Sequence, residues 1–215
     1  GHITAVHDDY GHITHFVATL TDITQRKATE EEIKRLAFYD PLTQLPNRML
    51  LGDRMQLAKA QAERSGKMLA VCYLDLDNFK PLNDQHGHAV GDLLLVEAAR
   101  RLKSCVRAAD TVSRIGGDEF VMLLCDLTTD PTDAAKSANM LAEKALVALS
   151  QPYLISAGKE TSTIEHHCTA SIGVVLFSKE HQNPEELLMW ADAAMYSSKA
   201  EGRNRVTFMA KKSAD

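Results

Sequence analysis

Two adjacent carboxylates near the middle of the sequence follow two adjacent glycines. Gly116 and Gly117 precede Asp118 and Glu119, and this segment lies between two runs that predict β-strands, Thr111 to Ile115 and Phe120 to Cys125. Paired glycines between strands predict a tight hairpin turn, because glycine takes positive φ without strain and leaves bare backbone that a bulky anion can approach. Adjacent strand residues point to opposite faces, so at least one carboxylate is expected outside the core. An ordinary solvated acidic turn is the alternative interpretation of this segment alone.

A second acidic segment follows a near-continuous apolar run over residues 68–74, which predicts a strand buried on both faces. Asp75 and Asp77 stand where that strand is expected to end. Placed beside the hairpin, they would complete an oxygen-rich cluster suited to Mg²⁺, which is usually held by one or two carboxylates together with phosphate oxygens. Two such ions about 4 Å apart serve in-line attack at phosphorus. The hypothesis is therefore phosphoryl transfer, against the alternative that Asp75 only caps a strand end.

These segments belong to an ordered series of motifs. The series contains DLDNFK from Asp75, NDQHGH from Asn83, the pair Gly91-Asp92, and RIGGDEF from Arg114. Together they resemble the GGDEF domain of diguanylate cyclases, and the resemblance covers roughly residues 37–208. It implies that one domain binds one GTP, and that two domains facing each other join two GTP molecules into cyclic di-GMP with release of pyrophosphate. A second copy of the chain is thus an expected partner, and cyclic di-GMP is expected as product and inhibitor.

The resemblance also assigns metal and catalytic positions. The expected metal ligands are Asp75, the carbonyl of Leu76, Asp118 and Glu119. They would hold Mg²⁺, two ions in each active half-site, with Mn²⁺ as an alternative ion. The expected catalytic residues are Asp118, Glu119 and Lys80. Such a site needs charge neutralisation at phosphate and a way to deprotonate the attacking 3′-hydroxyl, and the lysine would supply a cation to the phosphates.

The substrate contacts implied by the resemblance divide between phosphates and guanine. The expected phosphate contacts, besides Lys80, are the backbone at Asn78, Phe79, Gly116 and Gly117 and the side chains of Lys199 and Arg203. A lysine and an arginine at a helix end can instead simply complement the helix dipole. The expected guanine contacts are Asn83, His88 and Asp92. An aspartate can accept from guanine N1 and N2, a donor pair that adenine lacks.

An RxxD motif, Arg107 to Asp110, lies shortly before the hairpin and matches the family's product-inhibition site. An arginine can bond guanine O6 and N7 at once, and an aspartate can steady the base. The alternative is a local salt bridge that caps the preceding helix.

Composition narrows the class of protein. The chain has 215 residues, 45% of them hydrophobic and 25% charged, which is ordinary for a soluble globular protein. A net charge of −5 argues against a general nucleic-acid-binding surface. The four cysteines, Cys72, Cys105, Cys125 and Cys168, lack CxxC spacing and predict reduced thiols in a cytoplasmic protein. No apolar run approaches the ~20 residues of a membrane span, so no membrane contact is expected in this chain.

Four parts are expected along the chain. Residues 1–27 predict the C-terminal hairpin of a PAS-like sensor domain, residues 28–39 a linker helix opening at Thr29, residues 40–209 the GGDEF domain and residues 210–215 a tail. Histidines alternate along the hairpin and are expected to be solvated rather than to bind metal. The segment from Asp40 to Arg48 is expected to cap a helix and clamp it to the sheet, with Gln44 in place of the family's usual glycine.

The element order predicts an α+β fold of the ferredoxin-like, nucleotide-cyclase palm type, with a central, mostly antiparallel sheet flanked by helices. The predicted helices cover residues 49–65, 91–107, 131–149 and 185–200, and the predicted strands cover residues 68–74, 111–115, 120–125, 169–177 and 205–208, with an extra hairpin over 153–168. The leading functional hypothesis is a sensor-controlled diguanylate cyclase. The alternative is a non-catalytic module that binds GTP or cyclic di-GMP and regulates an attached EAL phosphodiesterase domain.

Overall fold

The computed structural model describes residues 2–19, 21–156, 163–177 and 183–209, which fall into two compact units, Gly1–Ala37 and Phe38–Asp215. The helices are α1 (Thr24–Phe38), α2 (Arg48–Ser65), α3 (Phe79–His86), α4 (His88–Cys105), α5 (Pro131–Ser150) and α6 (Pro184–Ala200). The strands are β1 (His2–His7), β2 (Ile13–Thr19), β3 (Leu69–Asp77), β4 (Thr111–Gly116), β5 (Glu119–Leu124), β6 (Tyr153–Ser156), β7 (Thr163–His166), β8 (Thr169–Phe177) and β9 (Arg205–Phe208). Within the described ranges, no helix is both long enough and apolar enough to cross a membrane.

The first unit contains the predicted hairpin, an antiparallel pair of β1 and β2. Asp8 shapes its turn, because one carboxylate oxygen accepts hydrogen bonds from the backbone N–H groups of Tyr10 and His12, each at 2.9 Å. Helix α1 begins at Thr24 rather than at the predicted Thr29, immediately after a hydrogen bond of 2.8 Å from Thr24 N to Asp22 Oδ1. The assignment of this hairpin to a PAS domain stays a prediction.

The second unit is built around a five-stranded sheet in the order β4-β5-β3-β8-β9. The central strand β3 runs antiparallel to both β5 and β8, β4 runs antiparallel to β5, and β9 pairs in parallel with β8. Every residue of β3 is buried, as its continuous apolar sequence predicts. The predicted α+β class with a mostly antiparallel sheet is therefore confirmed. The extra hairpin is also present as the pair β6 and β7, although its residues 157–162 lie outside the described residues.

Helices cover both faces of this sheet, and alternate residues of β3 divide between two hydrophobic clusters. Cys72 and Leu74 belong to the cluster that includes residues of α4 and α5, whereas Val71 and Tyr73 belong to the cluster that includes residues of α2 and α6. Because strand side chains alternate between faces, Asp75 and Asp77 continue the series of Tyr73. Both aspartates therefore lie on the α2 and α6 face.

Helix α6 approaches β8 unusually closely at Gly173. A Cβ atom on this residue would lie 2.1 Å from the carbonyl oxygen of Ala191 and 2.2 Å from the backbone nitrogen of Met195. Only glycine permits so close an approach between a strand and the backbone of a helix. The approach holds α6, and with it Lys199 near its C-terminal end, close over the sheet.

Two differences from the predicted elements bear on the site. Strand β3 continues three residues beyond its predicted end, to Asp77, which pairs with Thr169 of β8, so the two aspartates lie within the last three residues of the strand instead of following it. Helix α3 was not predicted, and α4 begins at His88 rather than at Gly91. The α3 segment buries only Phe79 and Leu82, too few apolar positions for a helical period to be recognised.

Candidate active site

The hairpin between β4 and β5 turns one residue later than predicted. Gly116 pairs with Glu119, so the two turn residues are Gly117 and Asp118, and the pairing register shifts between Arg114 and Gly116. Gly117 has φ +49°, which glycine adopts without strain. At both glycines the position of a Cβ atom has no heavy atom within 4 Å. The turn thus presents open backbone on which a ligand could lie.

The side chain of Arg114 stabilises this turn by hydrogen bonds to its backbone. Its Nε and Nη2 atoms donate to the carbonyl oxygen of Gly117 at 2.9 and 2.7 Å, and its Nη1 atom lies 3.0 and 3.2 Å from the two carboxylate oxygens of Asp40. Asp40 Oδ1 also accepts from the backbone N–H and the hydroxyl of Thr43 at 2.7 and 2.6 Å. Burial alone would raise the pKa of Asp40, but the hydrogen bonds from Thr43 and Arg114 outweigh it and lower that pKa. The position of Asp118 in the turn therefore depends on the ion pair between Arg114 and Asp40, two residues that are distant from each other in sequence.

The segment after Asp40 has the predicted capping role. Asn47 Oδ1 accepts from the backbone N–H groups of Met49 and Leu50 at 3.0 and 3.1 Å, which caps α2. The carbonyl of Pro46 accepts from the N–H of Arg114 at 3.0 Å and ties the segment to β4. Gln44 has φ +57°, a left-handed conformation that explains why glycine suits this position.

Asp75 lies within β3, opposite Glu119 of β5 and Ser171 of β8. Its Oδ2 atom is 2.8 Å from Lys199 Nζ. Burial raises the pKa of Asp75 to about 6; the nearby charges of Asp118 and Glu119 also raise it, and Lys199 opposes them. These three carboxylates therefore concentrate negative charge at one end of β3, where a cation is favoured.

The Glu119 carboxylate has a hydrogen-bond partner on β3. Its Oε2 atom accepts from the hydroxyl of Tyr73 at 3.2 Å, on the same face of the sheet. Leu76 N donates to the backbone carbonyl of Asp118 at 3.3 Å, which brings the turn beside β3. Within the described part of the chain, no three His, Cys, Asp or Glu side chains are grouped so that they could hold a metal ion. A metal site here would rest on one or two carboxylates, as Mg²⁺ sites completed by phosphate oxygens do.

Asp77 was predicted only as a member of the acidic cluster, with no ligand role of its own, and it is the more deeply buried of the two aspartates. Its carboxylate accepts from the hydroxyls of Thr169 and Ser171 at 2.7 and 2.8 Å and from the backbone N–H of Asn204 at 3.2 Å. Arg203 Nε lies 3.9 Å from the same carboxylate. Nothing in the local sequence distinguishes this anchoring aspartate from a metal ligand.

Helix α3 directly follows β3 and starts without a side-chain cap. Asn78 has φ +60° and its side chain makes no capping hydrogen bond, so the first N–H groups of the helix are available to an anion. Lys80 is exposed in the first turn. The predicted phosphate contacts of this segment therefore share one helix end.

The predicted guanine contacts lie around the junction of α3 and α4. Asn83 Oδ1 is buried and has no hydrogen-bond partner. It packs against Gly91, where a Cβ atom would lie only 1.9 Å from this oxygen. His88 and Asp92 are exposed in the first turns of α4. An unpaired buried acceptor beside exposed polar groups suits a ligand that carries hydrogen-bond donors.

Arg107 and Asp110 lie at the opposite end of β4 from the turn. Asp110 is buried, and its two carboxylate oxygens accept from the backbone N–H groups of Arg107 and Cys125, each at 2.9 Å. The side chains of Arg107 and Asp110 form no ion pair among the described contacts, so the alternative of a local salt bridge is wrong. Arg107 is exposed and lines a cavity of about 370 Å³, to which Arg54 also contributes.

Comparison with known proteins identifies the family. Residues 37–205 match the family described as "Diguanylate cyclase, GGDEF domain". The chain belongs to this family. The match includes both β3 and the hairpin, so the motifs that carry the resemblance are also those that the fold places side by side.

Individual GGDEF relatives agree with this assignment. The chain is 46% identical over 185 residues to the bifunctional diguanylate cyclase/cyclic di-GMP phosphodiesterase MucR of Pseudomonas aeruginosa. The aligned region covers 86% of this chain and 25% of MucR. The chain is 36% identical over 167 residues to the diguanylate cyclase TpbB of the same species, covering 78% of this chain and 36% of TpbB. A solved structure of the coiled coil and GGDEF domain of DgcB from Caulobacter crescentus, in complex with c-di-GMP, matches with a TM-score of 0.75 and 28% identity over 87% of this chain and 93% of that one. The chain thus spans about a quarter to a third of the length of these two curated relatives.

Proposed function

We propose that this GGDEF domain is an active diguanylate cyclase, which condenses two GTP molecules into cyclic di-GMP and pyrophosphate. The observation that carries the proposal is the pairing of β3 with β5, which sets Asp75 opposite Glu119 and beside the Asp118 turn, with Lys199 only 2.8 Å from Asp75. Carboxylates and a cation at one strand end suit phosphoryl transfer, where charge at the phosphates must be balanced.

The donor set fits Mg²⁺. Asp75 and Asp118 offer carboxylate oxygens and Leu76 a backbone carbonyl, and hard oxygen ligands of this kind are what Mg²⁺ takes alongside phosphate oxygens. When bound, the ion would polarise the phosphates and favour the ionised form of the attacking 3′-hydroxyl. Glu119 would contribute mainly by charge, since its carboxylate is engaged by Tyr73.

The nucleotide would lie between the hairpin and helices α3 and α4. The uncapped N-terminus of α3 and Lys80 would hold its phosphates from one side, and Lys199 with Arg203 from the other. Guanine N2–H₂ could satisfy the buried Asn83 Oδ1, while Asp92 accepts from N1–H. A site that recognises guanine in this way favours GTP over ATP.

Two chains are required for turnover. One domain holds one GTP, yet each 3′-hydroxyl must attack the α-phosphate of the other nucleotide, so two Gly117 turns must face each other across the joined substrates. The specific rate should therefore rise with protein concentration. A monomer should bind GTP but not turn it over.

The proposal is tested by incubating the purified chain with GTP and Mg²⁺ and measuring cyclic di-GMP by chromatography. Wild type should form the product, and Asp118→Ala should reduce the rate at least a hundredfold while leaving the thermal midpoint of unfolding nearly unchanged. A matched control is Asp53→Ala, which changes an exposed acidic residue of α2 outside the proposed site. If an artificially dimerised chain made no product, the cyclase proposal would be abandoned.

The second candidate is a nucleotide-binding module that regulates a neighbouring phosphodiesterase domain. It is favoured by the relative MucR, whose name joins cyclase and phosphodiesterase activities in a chain about four times as long as the matched region. This candidate predicts GTP or cyclic di-GMP binding without turnover. Calorimetric titration beside the turnover assay distinguishes the two.

A further inference from the structure

We infer that Asp77 is a positioning residue that holds Arg203 in place for the nucleotide phosphates. The inference rests on the proposed function, because it assumes that Arg203 meets the phosphates. Asp77 itself would touch neither metal nor substrate. It acts through the turn that follows α6.

The carboxylate of Asp77 is buried and accepts three hydrogen bonds from the protein. Its side chain has 0% exposure. Oδ1 accepts from Ser171 Oγ, and Oδ2 accepts from both Thr169 Oγ1 and the backbone N–H of Asn204. Since Thr169 and Ser171 belong to β8, one aspartate joins β3, β8 and the turn that precedes β9. Three of its roughly four acceptor sites are therefore occupied, and the side chain has no exposed surface at which a metal ion could bind.

The turn that Asp77 contacts has a costly conformation. Gly202, Arg203 and Asn204 have φ +112°, +64° and +47°, so two consecutive residues with side chains are left-handed. Such residues persist only where the surrounding structure holds them. The N–H of Arg203 donates to Ser198 O at 3.0 Å, and the N–H of Asn204 donates to Asp77. Asp77 is therefore the contact that ties the second left-handed residue to the sheet.

The geometry also places Arg203 by charge. Its Nε atom lies 3.9 Å from Asp77 Oδ1, while Lys199 Nζ lies 2.8 Å from Asp75 Oδ2. Asp75 and Asp77, two residues apart on one strand face, thus lie close to two cations, Lys199 in the last turn of α6 and Arg203 in the turn that follows the helix. Asp77 holds the second cation at this strand end even though its own oxygens are enclosed.

The experiment measures affinity for a nonhydrolysable GTP analogue with Mg²⁺, which needs no dimer and no turnover. Arg203→Ala should weaken binding about tenfold, the usual loss for a hydrogen bond to a charged group. Asp77→Asn, which keeps the side-chain shape, should weaken binding by a similar factor. The double variant should bind no more weakly than Arg203→Ala alone, because both changes remove the same contact.

Two further variants separate positioning from general stability. Ser198→Ala removes buried hydrogen bonds to Ile172 O and Thr207 Oγ1 at the same junction, so it should lower the thermal midpoint and leave affinity unchanged. Asn204→Val opposes the left-handed turn at an exposed position, so it tests the same idea if Asp77→Asn does not fold.

The outcomes are distinct. If Arg203→Ala weakens binding but Asp77→Asn and Asn204→Val do not, or if the double variant shows additive losses, the positioning role is wrong while the proposed function stands. If wild type does not bind the analogue at all, the proposed function itself fails.

Discussion

Removing the Asp40 carboxylate should destabilise the second unit and loosen the turn that carries Asp118. The carboxylate accepts two hydrogen bonds from Thr43 and pairs with Arg114 at 3.0 and 3.2 Å. Breaking a buried ion pair from one side costs about 3–5 kcal/mol, against less than about 1 kcal/mol for an exposed pair. Because the Arg114 and Asp40 side chains are 12% and 18% exposed, we expect about 3 kcal/mol for Asp40→Ala. Asp40→Asn keeps an acceptor for Thr43 and should cost about 1–2 kcal/mol.

Urea denaturation followed by the fluorescence of Trp190 measures this loss, since it is the single tryptophan of the chain and lies in α6. Lys136→Ala is a matched control, because the pair of Lys136 with Asp133 is 71% and 63% exposed and should contribute less than about 0.5 kcal/mol. Arg114→Ala should also lower the rate of cyclic di-GMP formation at least tenfold, because the Gly117 carbonyl loses both of its donors. A double-mutant cycle of Asp40→Ala with Arg114→Ala that gave a coupling energy below about 0.5 kcal/mol would show that the ion pair of Arg114 with Asp40 does not stabilise the fold.

The ion pair of Asp40 with Arg114 also predicts how the free energy of unfolding depends on pH. The pKa of Asp40 is lower in the folded chain than its ordinary 3.8. The unfolded state therefore binds this proton more readily, so the stabilisation is fully present above pH 3.8 and is lost as the pH falls through the lower folded pKa. Wild type should lose more stability than Asp40→Asn over that range.

Four other substitutions test the remaining parts of the site. Gly91→Ala should cost about 1–3 kcal/mol and weaken GTP binding, because the new methyl group displaces the Asn83 amide; unchanged calorimetric affinity would contradict the proposed guanine pocket. Arg107→Ala should relieve product inhibition in progress curves with a nearly unchanged initial rate, whereas Asp110→Ala should lower the unfolding free energy by about 2 kcal/mol, because it leaves two backbone N–H groups without acceptors. Asp92→Ser should admit ATP about ten- to a hundredfold more readily in a competition assay with mixed nucleotides, and an unaltered GTP preference would move base selection elsewhere.

Much of the fold follows from patterns that depend on local sequence. The continuous apolar run predicts β3, and the bounds of β8 and β9 agree with their predicted bounds. Strands β3 and β8 are predictable because burial on both faces leaves a near-continuous apolar signal. Helix α3 has no such signal, since it is one short element that buries two apolar residues.

The site was less predictable where its geometry depends on tertiary contacts. Positive φ at Asn78, Arg203 and Asn204 is imposed by surrounding contacts, and none of these residues is glycine. The turn register also depends on the irregular pairing between Arg114 and Gly116, which Gly-Gly alone does not specify. Which aspartate of the DLD segment anchors the sheet and which faces a cation likewise required the partners on β8.

The close contact of α6 with Gly173 has a consequence for how this protein tolerates mutation. A methyl group there would force the helix away from β8, because the obstructing atoms are backbone atoms of Ala191 and Met195 that cannot rotate aside. Lys199 follows on the same rigid helix, so its ammonium group would be displaced from Asp75 as well. A random screen for inactive variants should therefore recover Gly173 alongside the residues that contact substrate, and sequence comparison alone would misread a spacer as a chemical participant.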